Sequence, residues 1–101
     1  MNVKKFFGIF VLALVASAFV VSPVMAEKPI KIGIIQGLSG PYEIYGKAEV
    51  TGFKMGLEYF TNGTNKIIGR PVELIVEDTQ LKAARAKMLL TKLYADDKVD
   101  L

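Results

Sequence analysis

The chain has 101 residues, thirteen basic and ten acidic, with neither histidine nor cysteine. That composition excludes histidine acid–base chemistry, cysteine nucleophiles, disulfide frameworks and the usual zinc shells. Hydrophobic residues make up 51% of it, and many of them crowd at the front. Lys4 and Lys5 precede an uncharged run from Phe6 to Val21, "FFGIFVLALVASAFVV", and "SPVMA" then places Val24 and Ala26 on either side of Met25. A basic head, an apolar run and a small-x-small site predict a secretory signal peptide over residues 1–26, cleaved after Ala26. The rival reading is a retained membrane anchor, but the run falls short of the roughly 20 residues a span needs, and Pro23 interrupts it. No cysteine follows the run, so a lipid-modified N-terminus is excluded.

The leader carries two basic residues and no acidic ones, so residues 27–101 hold eleven basic against ten acidic side chains. Lys and Arg alternate there with Glu and Asp, and no basic patch for nucleic acid or anionic lipid remains.

After a polar lead-in from Glu27 to Pro29, "IKIGIIQG" predicts a strand. Its second half loses alternation, as a parallel strand covered on both faces does. A helix is predicted from about Tyr45 to Asn62, with Val50, Phe53, Leu57 and Phe60 in one apolar stripe and Ala48, Gly52, Met55 and Tyr59 in a second. Two stripes predict a helix more buried than a surface one. Glu43/Lys47 and Lys54/Glu58 are predicted i,i+4 pairs. "NGTNKIIGRP" ends the helix at Gly63, and Pro71 opens the next extended segment.

"VELIVED" predicts a second strand, with Val72, Leu74 and Val76 on one face and Ile75 on the other. "TQLKAARAKMLLTKLYADD" predicts a second helix with Ala86, Leu89, Leu90, Leu93 and Tyr94 inward. "KVDL" begins another strand. Strand and helix alternating through short loops predict an α/β fold, a parallel sheet with flanking helices joined by right-handed crossovers. With only Val99 to Leu101 of a third strand present, the expectation is the front end of a longer protein. A 75-residue domain standing alone buries only about 60% of its unfolded surface.

The stretch between the first strand and first helix, "GLSGPYEIYG", is the candidate site. Loops at the carboxyl ends of parallel strands bind ligands in open α/β sheets. Amides near a helix start favour a negative group. Ser39 and Gly40 sit in this loop, and Tyr42 and Tyr45 could wall an apolar side chain. A stiff strand-to-helix turn with packed tyrosines fits the same residues. The glycines at 33, 37 and 40 do not have dinucleotide-fingerprint spacing, and Asp78 with Thr79 is read as ending a strand and capping the next helix. Glu77 and Asp78, adjacent on a strand, diverge. Asp96, Asp97 and Asp100 read as solvated loop acids, and Asn62-Gly63-Thr64 as a turn although it matches a glycosylation sequon. No catalytic constellation, cofactor motif or metal set is found, and the chain is not expected to be an enzyme.

Three motifs in order resemble the type I periplasmic substrate-binding proteins of branched-chain amino-acid ABC transporters. They are Leu38-Ser39-Gly40-Pro41 with Tyr45-Gly46 and Gly52; "GRPVEL" with Asp78; and "DDKVDL". The resemblance covers nearly all of residues 27–101. Thr61-Asn62 departs from the family, which has asparagine first, and this bears on the turn rather than the pocket.

The resemblance implies an incomplete N-terminal lobe of a two-lobed binding protein, residues 27–101 being its first βαβα units. It also implies an exported, periplasmic or extracytoplasmic location. The implied ligand is a branched-chain or related amino acid or similar small polar solute. The implied partners are ABC permease subunits and the C-terminal lobe of the same protein, with no nucleic acid. Tyr45 matches a pocket aromatic of the family, with Ser39 and Gly40 in the adjoining loop. A ligand-sensing lobe of a membrane receptor and a small signal-anchored membrane protein remain as alternatives.

The leader gives the first test. N-terminal sequencing of exported material is expected to find Glu27 first; a retained Met1 would establish the anchor instead.

Overall fold

The computed structural model describes residues 27–101; the leader expected over residues 1–26 lies outside the described residues. Five elements follow in order: β1 (Ile30–Gln36), α1 (Glu43–Phe60), β2 (Lys66–Ile67), β3 (Arg70–Asp78) and α2 (Ala83–Ala95). The expected alternation is borne out, with one short strand added. β1 and β3 run parallel in continuous register, from Ile30 beside Val72 to Gln36 beside Asp78. Parallel neighbours need a crossover rather than a hairpin, and α1 supplies it.

Period-two geometry then assigns the faces. Val72 and Leu74 of β3 share a cavity of about 240 Å³ with Leu57 and Lys54 of α1, so α1 lies over the face those side chains present. Gly33 of β1 faces Leu93 of α2; a Cβ there would lie 2.8 Å from a Leu93 methyl. Lys92 of α2 pairs with Glu77, two residues along from Ile75 on that same face, and also with Asp97 beyond the helix. The two helices therefore cover opposite faces.

The predicted third strand is present as a pairing even though it is too short to count as an element. Asp100 N–H donates to Lys31 O at 2.8 Å, and Gly33 N–H donates to Leu101 O at 2.8 Å. The Asp100 carboxylate also accepts the Lys31 amide at 2.9 Å. Val99–Leu101 thus lines the edge of β1 opposite to β3. Asp97 and Asp100 are not idle loop acids, since each holds a lysine main chain or side chain in place.

The core is small. Val50, Leu89, Leu93 and Val99 are the buried hydrophobic residues among those described. The helix faces are narrower than their apolar stripes suggested. On α1, Gly46 and Val50 are buried and Leu57 half-buried, whereas Met55, Tyr59 and Phe60 are exposed. On α2, Leu89 and Leu93 are buried but Leu90 and Tyr94 stand about half exposed. One small sheet offers each helix a single line of contact, too little to cover two stripes. Glu43 and Lys47 pair as expected; Lys54 and Glu58 do not pair among the described residues and line the cavity instead.

Two loops carry more order than their sequences advertised. Thr61 is buried at the end of α1; its hydroxyl donates to Leu57 O at 2.8 Å and accepts the Asn65 amide at 3.0 Å. The residue that departs from the family pattern is therefore the one that stitches the helix end to the next loop. Beyond it, β2 and the start of β3 form a hairpin, pairing Lys66 with Pro71 and Ile67 with Arg70. Its two central residues, Ile68 and Gly69, have φ of 51° and 73°. Positive φ at both is the type I′ requirement, which Asn-Gly meets best and a β-branched residue meets worst. Ile68 is also 93% exposed.

Three expectations follow for unfolding experiments. Ile68→Asn should raise stability by about 1 kcal/mol by relieving left-handed strain, measured as a higher urea midpoint at unchanged slope. Gly46→Ala should cost about 1–3 kcal/mol, because its new Cβ would lie 1.9 Å from the Gly37 carbonyl oxygen. Gly52→Ala on the same helix, with open space around it, should gain about 0.5–1 kcal/mol.

Candidate solute-binding loop

The candidate site is the turn from Gly37 to Tyr42, at the carboxyl end of β1. β1 is the strand at which the sheet changes direction: β3 pairs on one edge and Val99–Leu101 on the other. Successive crossovers leave such a strand on opposite faces, and the crevice outside its carboxyl end is where open α/β sheets take ligands.

The turn is held from every side. Beneath it, Gly46 of α1 is buried against the Gly37 carbonyl, the close approach that only a missing side chain permits. The Gly37 amide donates to the side-chain oxygen of its neighbour Gln36 at 3.1 Å, and Gln36 in turn binds Glu49 of α1. Leu81 packs on the other side, with a methyl 2.6 Å from where a Gly37 Cβ would lie. Gly40, at φ 78°, turns the chain, and its carbonyl accepts the Glu43 amide at 3.1 Å as α1 begins.

Asp78, at the end of β3, supplies the remaining restraint. One carboxylate oxygen accepts the Leu38 amide at 2.9 Å and the Gln80 amide at 2.8 Å. These two amides, Gln80 first, followed by the Ser39 hydroxyl, hold the Asp78 carboxyl below its ordinary value; the Arg85 charge adds to them, and partial desolvation opposes. A depressed folded-state value means that the carboxylate stabilises the fold above its ordinary value of 3.8, and that this is lost as pH falls through the lower folded value.

The expected capping role needs correction. α2 starts at Ala83, its N-cap is Lys82, and no side chain caps it. Asp78 and Thr79 instead close two side-chain turns ahead of the helix, the second through Leu81 N–H to Thr79 Oγ1 at 3.2 Å. Gln80 and Leu81 both take positive φ there. Glu77 and Asp78 diverge as expected, one towards Lys92 and the other towards the turn.

The predicted site residues fall in one neighbourhood but not in one wall. Gly40 lines a shallow depression of about 390 Å³ with Pro41, Glu43, Ile44 and Lys47; Ser39 and Tyr45 do not line it. Ser39 is half-buried, Gly40 exposed. Tyr45 is 65% exposed and Tyr42 59%, their rings 6.2 Å apart and tilted by 45°. Each ring thus lies beside the other and is largely exposed in residues 27–101. The amides of Ser39 and Gly40 donate to no group among the described residues. What sequence reasoning missed is Asp78 as a restraint on the turn, 40 residues away along the chain; its signal was the acid at the end of the neighbouring parallel strand.

Among the described residues no group of acidic side chains is arranged to hold a metal ion, and no helix is long and apolar enough to cross a membrane. Residues 29–101 match the family described as periplasmic binding protein. The chain belongs to that family. Its fold is part of the type I periplasmic binding protein architecture.

Three solved structures are similar to it. An ABC transporter protein from Rhodopseudomonas palustris shares 44% identity at a TM-score of 0.69, over 70% of this chain and 21% of that one. An ABC-type branched-chain amino acid transporter from the same organism shares 43% at 0.70, over 71% of this chain and 19% of that one. An ABC transporter substrate-binding protein from Sphaerobacter thermophilus shares 33% at 0.65, over 71% and 19%. The chain thus spans about a fifth of the length of these relatives. No curated protein matches it.

Proposed function

We propose that the chain contributes the opening of the N-terminal lobe of an exported solute-binding protein, residues 27–101 being its first βαβα units. The protein would bind a branched-chain or related amino acid, or a similar small polar solute, outside the cytoplasm and deliver it to ABC permease subunits. A second lobe closes the cleft. It acts by binding, and no bond in the solute is made or broken.

The single observation that carries this reading is the turn at the carboxyl end of β1. It is rigidly held, yet among the described residues it leaves the Ser39 and Gly40 amides unpaired and two tyrosine rings in solvent. Unpaired amides suit a carboxylate or another anionic or carbonyl oxygen, and Tyr45 offers an apolar wall with a hydroxyl at its rim. Membership of the family and likeness to a branched-chain amino acid transporter support the solute class. Likeness to that transporter motivates leucine and valine as the first ligands to try.

The test is a chimera in which residues 29–101 replace the matching segment of the branched-chain relative from Rhodopseudomonas palustris. Calorimetric titration with leucine or valine is expected to give a Kd within about tenfold of the parent, with Tyr45→Ala weakening it by about tenfold, or 1.4 kcal/mol. Residues 27–101 alone are expected to bind neither ligand measurably. A chimera that melts cooperatively but binds nothing ends the proposal.

A further inference from the structure

The turn that faces the proposed solute is tied to the neighbouring strand by one ionisable side chain. Leu38 belongs to the turn after β1 and Gln80 to the turn after β3, and both donate their amides to the same oxygen of Asp78, at 2.9 and 2.8 Å. The backbone adds one link nearby, from Thr79 N–H to Gln36 O at 2.9 Å, which ends the sheet ladder before the turn begins. Past that point, the Asp78 carboxylate is what connects the two turns by hydrogen bonds. Arg85 of α2 faces it and donates to the Asp78 carbonyl at 2.8 Å, so the residue is held by its main chain while its carboxylate holds the turn. The other restraints act on Gly37 and Gly40, one residue to either side of the Leu38–Ser39 pair.

We propose that Asp78 is the positioning residue of the solute-facing turn: by pinning the Leu38 amide to the end of β3, its carboxylate keeps the next two amides, those of Ser39 and Gly40, without partners among the described residues. This rests on the solute-binding reading for its purpose, but the clamp itself is a property of the chain without ligand. Without the clamp the turn loses its hydrogen bond to the end of β3. Leu38 then needs another acceptor, and the Ser39 and Gly40 amides are no longer presented in one arrangement, so affinity falls through loss of preorganisation and not through loss of a direct contact.

The experiment is amide NMR on the full chain, repeated on the chimera. In a pH titration the Leu38 and Gln80 amide resonances are expected to move together, with one midpoint below 3.8, the ordinary value for the carboxyl. Asp78→Asn, which keeps an acceptor oxygen and cannot titrate, is expected to abolish that step. Asp78→Ala is expected to speed hydrogen exchange about tenfold at Leu38, with Ile32 and Ile34 in β1 changing less than about twofold. In the chimera, Asp78→Ala is expected to weaken leucine binding by about tenfold and Asp78→Asn to restore most of it.

Separate midpoints for Leu38 and Gln80, or exchange in Asp78→Ala that rises equally in turn and strand, would overturn the proposal. If Asp78→Ala does not fold, the wild-type titration and Asp78→Asn decide the matter alone. Co-titration in a chimera that binds no leucine would remove the solute-binding reading and leave the clamp standing. Leucine binding without co-titration would do the reverse.

Discussion

A strand hydrogen-bonded along both edges organises everything else in residues 27–101. β1 meets β3 through seven residue pairs in parallel register on one side. On the other side its Lys31 and Gly33 exchange main-chain hydrogen bonds with Asp100 and Leu101. Parallel pairing forces each connection to cross over a face, and pairing on both edges puts the two crossovers on opposite faces. The helices, the small core and the open turn at the carboxyl end of β1 all follow from that arrangement.

The close approach of α1 to the strand end makes this turn a tight connection. Gly46 lies against the Gly37 carbonyl with no room for a methyl group. Because the backbone of α1 comes so near, α1 begins immediately after the turn, and Tyr42 and Tyr45 project from its first residues into solvent. Asp78 then fastens the same turn from the other strand. Rigidity here comes from backbone contacts and one carboxylate, with little hydrophobic burial; the buried apolar residues, Val50, Leu89, Leu93 and Val99, lie elsewhere. The Ser39 and Gly40 amides have no partner among the described residues, and the shape of the turn is fixed by other groups.

The exposed apolar residues of α1 and of the hairpin, Met55, Tyr59, Phe60 and Ile68 among them, are the counterpart of that economy. A two-helix, one-sheet arrangement offers each helix a single line of contact. Their sequence stripes are wider than the surface that the sheet of residues 27–101 presents, so part of each stripe is exposed here. The same stripes did locate both helices to within a few residues, because period is a local property and burial is not.

Local pattern alone determined a good deal of this protein: the alternation of strand and helix, the parallel pairing implied by it, the faces of "VELIVED", and the place of the turn carrying Ser39 and Gly40 just ahead of the helix that holds Tyr45. Each depends on residues within a few positions of one another. The tertiary structure decided the rest. It set the hairpin through Ile68 and Gly69, where an unfavourable residue takes left-handed φ because β2 pairs beside it. It turned Asp78 and Thr79 from a presumed helix cap into two turns, and carried the Asp78 carboxylate to an amide 40 residues back along the chain. It set the Tyr42 and Tyr45 rings beside each other, both largely exposed. These outcomes depend on which chain segments meet across the sheet. Side-chain hydrogen bonds between distant residues leave no periodic trace in a sequence, so only the folded arrangement could assign them.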